Sequence, residues 1–144
     1  MEESMNNVPP LCSDWIPAPG DLDEAWAWRT LNGLGRKGAM QMLIDSPSTL
    51  PEVLCHSKGS CFLYYTGILV DYLLSDEAKE NFAAAAGFMN LLNTRRPSPA
   101  SCVGSAGLTL LEAARLIAAR QVFYDADEDL FGSFPLLYER YASG

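Results

Sequence analysis

Apolar positions recur at helical spacing through most of the chain. The clearest stretch is LTLLEAARLIAARQVFY, residues 108–124. There Leu110, Ala114 and Ile117 align with Leu111, Ala118 and Val122 as an inward stripe, and Glu112 and Arg115 point outward. DLDEAWAWRTLN predicts a helix opened by Asp21 as N-cap, with Glu24 three residues on as in a capping box, and stopped at Gly33. A second helix starts after Gly35, carries RKGAMQMLID and ends before Pro47. STLPEVLCHS predicts a short helix begun by Ser48 or Thr49, with Pro51 in its first turn. Residues 60–74 are apolar nearly all round, which predicts a central helix or one covered by a partner. By composition alone, CFLYYTGILV also suits a buried strand. Ser75 or Asp76 caps DEAKENFAAAAGFMNLLN, whose alanine run allows close helix contact. Residues 93–107 read as a polar connector containing Arg95 and Arg96, DADEDLFGSF as an acidic turn, and PLLYERY as a last short helix.

No segment sustains period-two alternation, and no internal repeat is present. The pattern predicts an all-α, single-domain bundle of about six helices over residues 21–144. Ahead of it, residues 1–20 hold four prolines and then Gly20, which predicts an extended N-terminal arm pinned by Trp15 and Ile16. Hydrophobic residues at 49% and charged residues at 19% fit a folded chain and exclude disorder.

Charge changes the functional expectation. A net charge of −8 repels nucleic acid on average, so a nucleic-acid contact requires a local basic patch. Between residues 25 and 44 the charged side chains are Arg29, Arg36 and Lys37, with no acid. This is the most cationic segment of the chain, and Arg95 and Arg96 make a second, smaller basic spot. The opposite extreme is the run containing Asp125, Asp127, Glu128 and Asp129, a candidate patch for a basic partner. It imitates the first half of a calcium loop, but Leu130 stands where the required glycine would be and Leu136 where the bidentate glutamate would be.

Other chemistry is sparse. MEESMNNVPP has two acids and no basic residue ahead of an apolar run, unlike a secretory signal. The apolar run at residues 61–74 is short and interrupted by Asp71, so no membrane segment is expected and a cytoplasmic location is. Cys12, Cys55, Cys61 and Cys102 are then expected as reduced thiols. Cys55, His56 and Cys61 lack the spacing of a full metal-ligand set, so no metal or other cofactor is expected. His56 is the lone histidine, and no nucleophile or acid–base constellation accompanies it; no catalytic residue and no enzymatic activity is expected. Asp71, alone in an apolar stretch, is expected at a solvent edge or bonded to nearby backbone.

Within the cationic segment, Gly33, Gly35 and Gly38 spell G-x-G-x-x-G. A dinucleotide cradle would need a strand before it and an acid further on, and neither is present. Residues 21–45 instead resemble the helix-hairpin-helix element of DNA-repair and recombination proteins, with Leu31, Gly33, Leu34, Gly35, Lys37, Ala39 and Leu43 on the matching positions. Asn32 stands where that family favours proline, and Gly38 where it favours threonine or serine. More loosely, residues 22–54 are similar to the N-terminal helical module of a DNA-processing protein of transformation. Some relatives use the lysine matching Lys37 as a nucleophile, but the aspartate they need falls at Cys55 and their four-cysteine cluster is missing. The resemblance therefore implies sequence-nonspecific contact with the DNA backbone and no base-excision chemistry.

The expectation is a small non-enzymatic accessory protein that touches DNA through Arg29, Gly33, Gly35, Arg36 and Lys37. The alternative is an acidic protein-binding module, an inhibitor, adaptor or immunity-type protein, in which the hairpin is structural. A homodimer through the helix at residues 61–74 is the remaining partner expectation.

Overall fold

Capping side chains fix where several helices begin. In the computed structural model, which describes residues 12–144, Asp21 precedes α1 (Leu22–Leu31) and its carboxylate accepts the Glu24 amide at 3.0 Å. The reciprocal half of the expected capping box is absent. Glu24 is buried, and its carboxylate takes the Trp15 indole N–H at 2.6 Å and the Lys58 ammonium at 3.2 Å. The Trp15 bond, against the opposing effect of burial and helped by Lys58, holds the Glu24 carboxyl below its usual range. After α1 come α2 (Arg36–Asp45), α3 (Thr49–Cys55), α4 (Gly59–Leu73), a 3₁₀ turn (Asp76–Ala78) and α5 (Phe82–Arg95). An antiparallel pair, β1 (Cys102–Val103) with β2 (Leu108–Thr109), leads into α6 (Leu110–Ala118), α7 (Glu128–Phe131) and α8 (Phe134–Ser143). The described residues are all-α apart from that ribbon. No helix among the described residues is long and apolar enough to cross a membrane.

α4 is the central element, and it is a helix, not a strand. Ten of its fifteen residues are buried, among them Tyr65, Ile68, Leu69 and Leu73. Its apolar circumference is sheathed by its own chain, chiefly α2, α3, the 3₁₀ turn and β1, with α5 beside them, so burial of α4 needs no second subunit. The most extensive helix pairing is α3 on α5. A Cβ at Gly87 would stand 2.7 Å from the Pro51 ring, and Ala84 and Ala85 lie fully buried nearby in the alanine run.

Two helices are shorter than the periodicity predicts. The helix expected from Asp76 breaks at Glu80 (φ 65°) and restarts with Asn81 as N-cap. Asn81 accepts the Ala84 amide at 3.2 Å and donates to the Leu43 carbonyl and the Tyr72 hydroxyl, so three elements hold the break. α6 opens on a full capping box, Thr109 with Glu112, and then ends at Ala118. The turn beyond it swings Val122 outward, 94% exposed, and so removes it from the inward stripe. In its place Tyr124 is buried, with its hydroxyl donating to the Leu73 carbonyl at 2.6 Å. Ser133 caps α8 by accepting the Leu136 amide.

Three arginines act as internal caps for the carbonyls that helix ends leave over. Arg95 donates to the carbonyls of Leu54, Cys55 and Ser57 at the end of α3. Arg96 donates to those of Arg140 and Tyr141 in α8. Arg120 donates to Ser75 past the end of α4, and its guanidinium lies 4.1 Å from the centre of the Phe123 ring. Arg95 and Arg96 are therefore tied structural groups, not residues of a free connector.

The arm is clamped over its described part. Residues 1–11 of the expected arm lie outside the described residues. Cys12 and Cys61 form a disulfide, contrary to the expectation of four reduced thiols, and Cys55 and Cys102 remain free. Trp15 is buried, Trp28 donates to the Cys12 carbonyl at 3.3 Å, and Asp14 accepts the Ser60 amide at 2.8 Å in the first turn of α4. Ile16, expected beside Trp15 as an anchor, is 86% exposed.

Buried tyrosines set an alkaline limit. Burial pushes Tyr124 and Tyr141 up to about 12, against the opposing influence of Arg120 and Arg96, and Tyr65 is pushed up as well. A phenol whose folded pKa exceeds its unfolded value of about 10 stabilises the fold fully below that value. The contribution fades as pH climbs from about 10 through about 12. Denaturant midpoints measured across that range are expected to fall, in step with phenolate absorbance. A flat midpoint would mean the hydroxyls ionise in place.

Candidate nucleic-acid interface

The hairpin is built from its interior outward. α1 ends with Leu31 fully buried, and Asn32 closes the helix by donating its amide to the Trp28 carbonyl. Gly33 then takes φ +78°, a conformation that costs most side chains energy, and a Cβ built there meets nothing within 4 Å. The Tyr65 hydroxyl, reaching from α4, donates to the carbonyl of Leu31 at 2.7 Å and is also bonded to that of Leu34. One buried group thus draws the turn's carbonyls toward the core.

Gly35 is the N-cap of α2, and no side chain caps it. The first amides of α2 have no intrahelical acceptor, and the dipole places partial positive charge there. The space around Gly35 is open as well. Gly38 has a packing reason. A Cβ there would stand 2.9 Å from Leu34 Cδ1, so the bare position lets Leu34 fold across the first turn.

The three cations of the segment do not share one fate. Arg29 and Lys37 are exposed and, among the described residues, have no ion-pair partner. Arg36 is held: its Nη2 donates to Asp71 Oδ2 at 2.8 Å, with about a third of its side chain exposed and 15% of Asp71's. The Asp71 carboxylate also accepts the amide and hydroxyl of Ser105, from the loop between β1 and β2. Gly104 makes this possible at φ +78°, since a Cβ there would stand 2.7 Å from Asp71 Oδ1. Asp71 thus meets its expected backbone partner and, in addition, an unexpected cation. Tyr65, Asp71 and Ser105 were not among the residues singled out as the site.

Beside the pair lies an open cleft of about 520 Å³, lined by Arg36, Tyr64, Ile68, Asp71, Val103 and Ser105 among others. The acidic candidates sit elsewhere. Asp125, Asp127, Glu128 and Asp129 are all exposed, and Asp127 caps α7 by accepting the Asp129 amide at 2.9 Å. Among the described residues no three His, Cys, Asp or Glu side chains converge as a metal-ligand set, and Cys61 is committed to Cys12.

No protein-family model, curated protein or solved structure matches the chain. The class defined by fold and site is accordingly a coarse one, an all-α protein with a glycine-turned helical hairpin on its surface.

Proposed function

We propose that the protein is a non-enzymatic accessory factor that contacts the DNA backbone, without sequence preference, through the hairpin between α1 and α2. The observation that carries this reading is the uncapped start of α2 on a turn whose carbonyls Tyr65 draws inward. A phosphate oxygen at that position accepts from the leftover amides around Gly35, while Lys37 and Arg29 supply long-range attraction. Such contacts read phosphate and shape. With two or three of them, against a chain of net charge −8, binding is weak and salt-sensitive, with a log–log salt slope of roughly −2 to −3.

Arg36 gives the reading its internal control. In the free protein its charge is answered by Asp71, so a phosphate must compete with a carboxylate already 2.8 Å away. Titration of duplex and single-stranded DNA at low salt is expected to show binding by the native protein and loss of it in Arg29→Glu/Lys37→Glu. Asp71→Asn keeps an acceptor for Ser105 but frees the guanidinium. It is expected to tighten DNA binding by about threefold to tenfold and steepen the salt slope by about one. A native chain that fails to bind at low ionic strength, or an Asp71→Asn variant no tighter than native, would sink the proposal.

A further inference from the structure

The end of the molecule that carries α7 combines two features that rarely coexist without a partner. The first is a set of exposed apolar side chains. Val122 is 94% exposed, Leu130 75% and Phe82 43%. Phe82 lies at the start of α5 and stacks on Phe131 of α7, with ring centres 5.4 Å apart. The Glu80 amide donates to the Phe123 carbonyl at 3.0 Å, which sets the segment before Phe82 directly beside Val122. Phe82 and Val122 are thus brought to the same end of the molecule from two distant stretches of chain, and Leu130 directly precedes Phe131 in α7. Exposed apolar groups gathered in this way, and rimmed by charge, are characteristic of interaction surfaces.

The second feature is the sign of the rim. Asp76, Glu77 and Glu80 lead up to Phe82 in the chain, and Asp125, Asp127, Glu128 and Asp129 fall between Val122 and Leu130, every one exposed. Lys79 is the single cation within these two stretches. The acids alone would be an ordinary solvated edge. Around an apolar centre they select the occupant, because a second copy of this chain would bring the same acids and repel, whereas a basic partner would be drawn in. Gln121 makes the platform rigid. It donates to the carbonyls of Ala126 and Gly132 and accepts the Phe134 amide, so the loop carrying Val122 and the acids is tied to α8.

We infer that this face, centred on Phe82, Val122 and Leu130, docks a cationic amphipathic segment of another protein. The segment's apolar side covers the three side chains, and its lysines or arginines face the two acidic stretches. This inference stands apart from the DNA reading and uses none of the hairpin residues.

The test uses the full chain and a fluorescent leucine–lysine amphipathic helix as probe, with a serine–lysine peptide of equal charge as comparison. The native protein is expected to bind the amphipathic probe at least tenfold more tightly than the charge-only peptide. Val122→Ser/Leu130→Ser, both on the surface, are expected to leave the circular dichroism unchanged and weaken the probe about tenfold, which corresponds to about 1.4 kcal/mol. Lys37→Glu should leave the probe's affinity intact, so the hairpin and this face are read out separately. Equal binding of the two peptides, no binding of either, unchanged affinity in the double variant, or a native dimer that Val122→Ser dissociates would each overturn the inference.

Discussion

Reduction of the Cys12–Cys61 disulfide is expected to destabilise the protein by about 4 kcal/mol, the loop-closure value for a bridge with a sequence separation of 49. The bridge ties the arm to the first turn of α4, and several contacts depend on that register. Trp15 reaches the buried Glu24 carboxylate, Asp14 reaches the Ser60 amide, and Trp28 reaches the Cys12 carbonyl. When the arm is free to leave, Glu24 keeps only Lys58, whose side chain is more than half exposed, and the first amides of α4 lose their acceptor. Denaturant unfolding followed by tryptophan fluorescence, with and without reductant and in Cys12→Ala/Cys61→Ala, gives the number. A thiol reagent applied to the native protein should label the exposed Cys102 quickly and the half-buried Cys55 slowly, since burial raises the Cys55 thiol. Rapid labelling of all four cysteines without reductant, or a midpoint that reductant leaves unmoved, would contradict the bridge.

That clamp also marks the boundary of what could be read from the chain. Elements set by neighbouring residues were legible. Asp21 caps α1, Gly33 ends it, Pro51 falls in the first turn of α3, and Leu110, Ala114, Ile117 and Ala118 of the α6 stripe are buried as their spacing requires, with Leu111 half-buried. Elements set by remote partners were not. The N-terminus of α4 is satisfied by Asp14, 46 residues away, and nothing near Gly59 signals it. The ribbon of β1 and β2 is two residues per strand, too short to show alternation. The break at Glu80 had a local sign, Asn81 as a capping residue, but a continuous run of helix formers overrode it. Val122 fits a helical period, and it is the pull of Arg120 toward Ser75 and of Tyr124 toward Leu73 that turns the chain before the period can reach it.

The candidate site divides along the same line. Gly33, Gly35 and Lys37 follow from spacing, because a tight turn before an uncapped helix is a local event. Arg36 looked equivalent to Lys37 in sequence, yet its partner is 35 residues away. The trace of that pairing was Asp71 itself, a lone acid in an apolar helix, which burial obliges to find a counter-charge or hydrogen bonds. The sequence named the need without naming the arginine. Counting cations therefore overstates the hairpin's free charge, and the same count overstates it elsewhere, since Arg95, Arg96 and Arg120 are spent on carbonyls.

Arg95→Ala tests that point with the second large effect. The Arg95 Nη1 donates to the carbonyls of Leu54, Cys55 and Ser57, at 2.9, 3.2 and 2.6 Å, and the guanidinium lies 4.8 Å from the centre of the Phe62 ring. Removing it strands the Cys55 and Ser57 carbonyls at the negative end of α3, while Leu54 keeps the Ser57 hydroxyl, and opens a gap over Phe62. At about 1–3 kcal/mol per abandoned buried acceptor, and with partial rescue by water, a loss of about 3 kcal/mol is expected. For a chain of this size that lowers Tm by about 10 °C. Arg95→Lys keeps the charge but offers a compact ammonium in place of a planar fork, so an intermediate loss is expected. Arg115→Ala, on the exposed side of α6, should change stability by no more than about 0.5 kcal/mol. Below its own melting point, Arg95→Ala should bind DNA as the native chain does, because the hairpin's cations are Arg29 and Lys37. A variant that keeps its Tm but loses DNA binding would move the phosphate-binding surface from the hairpin to the end of α5.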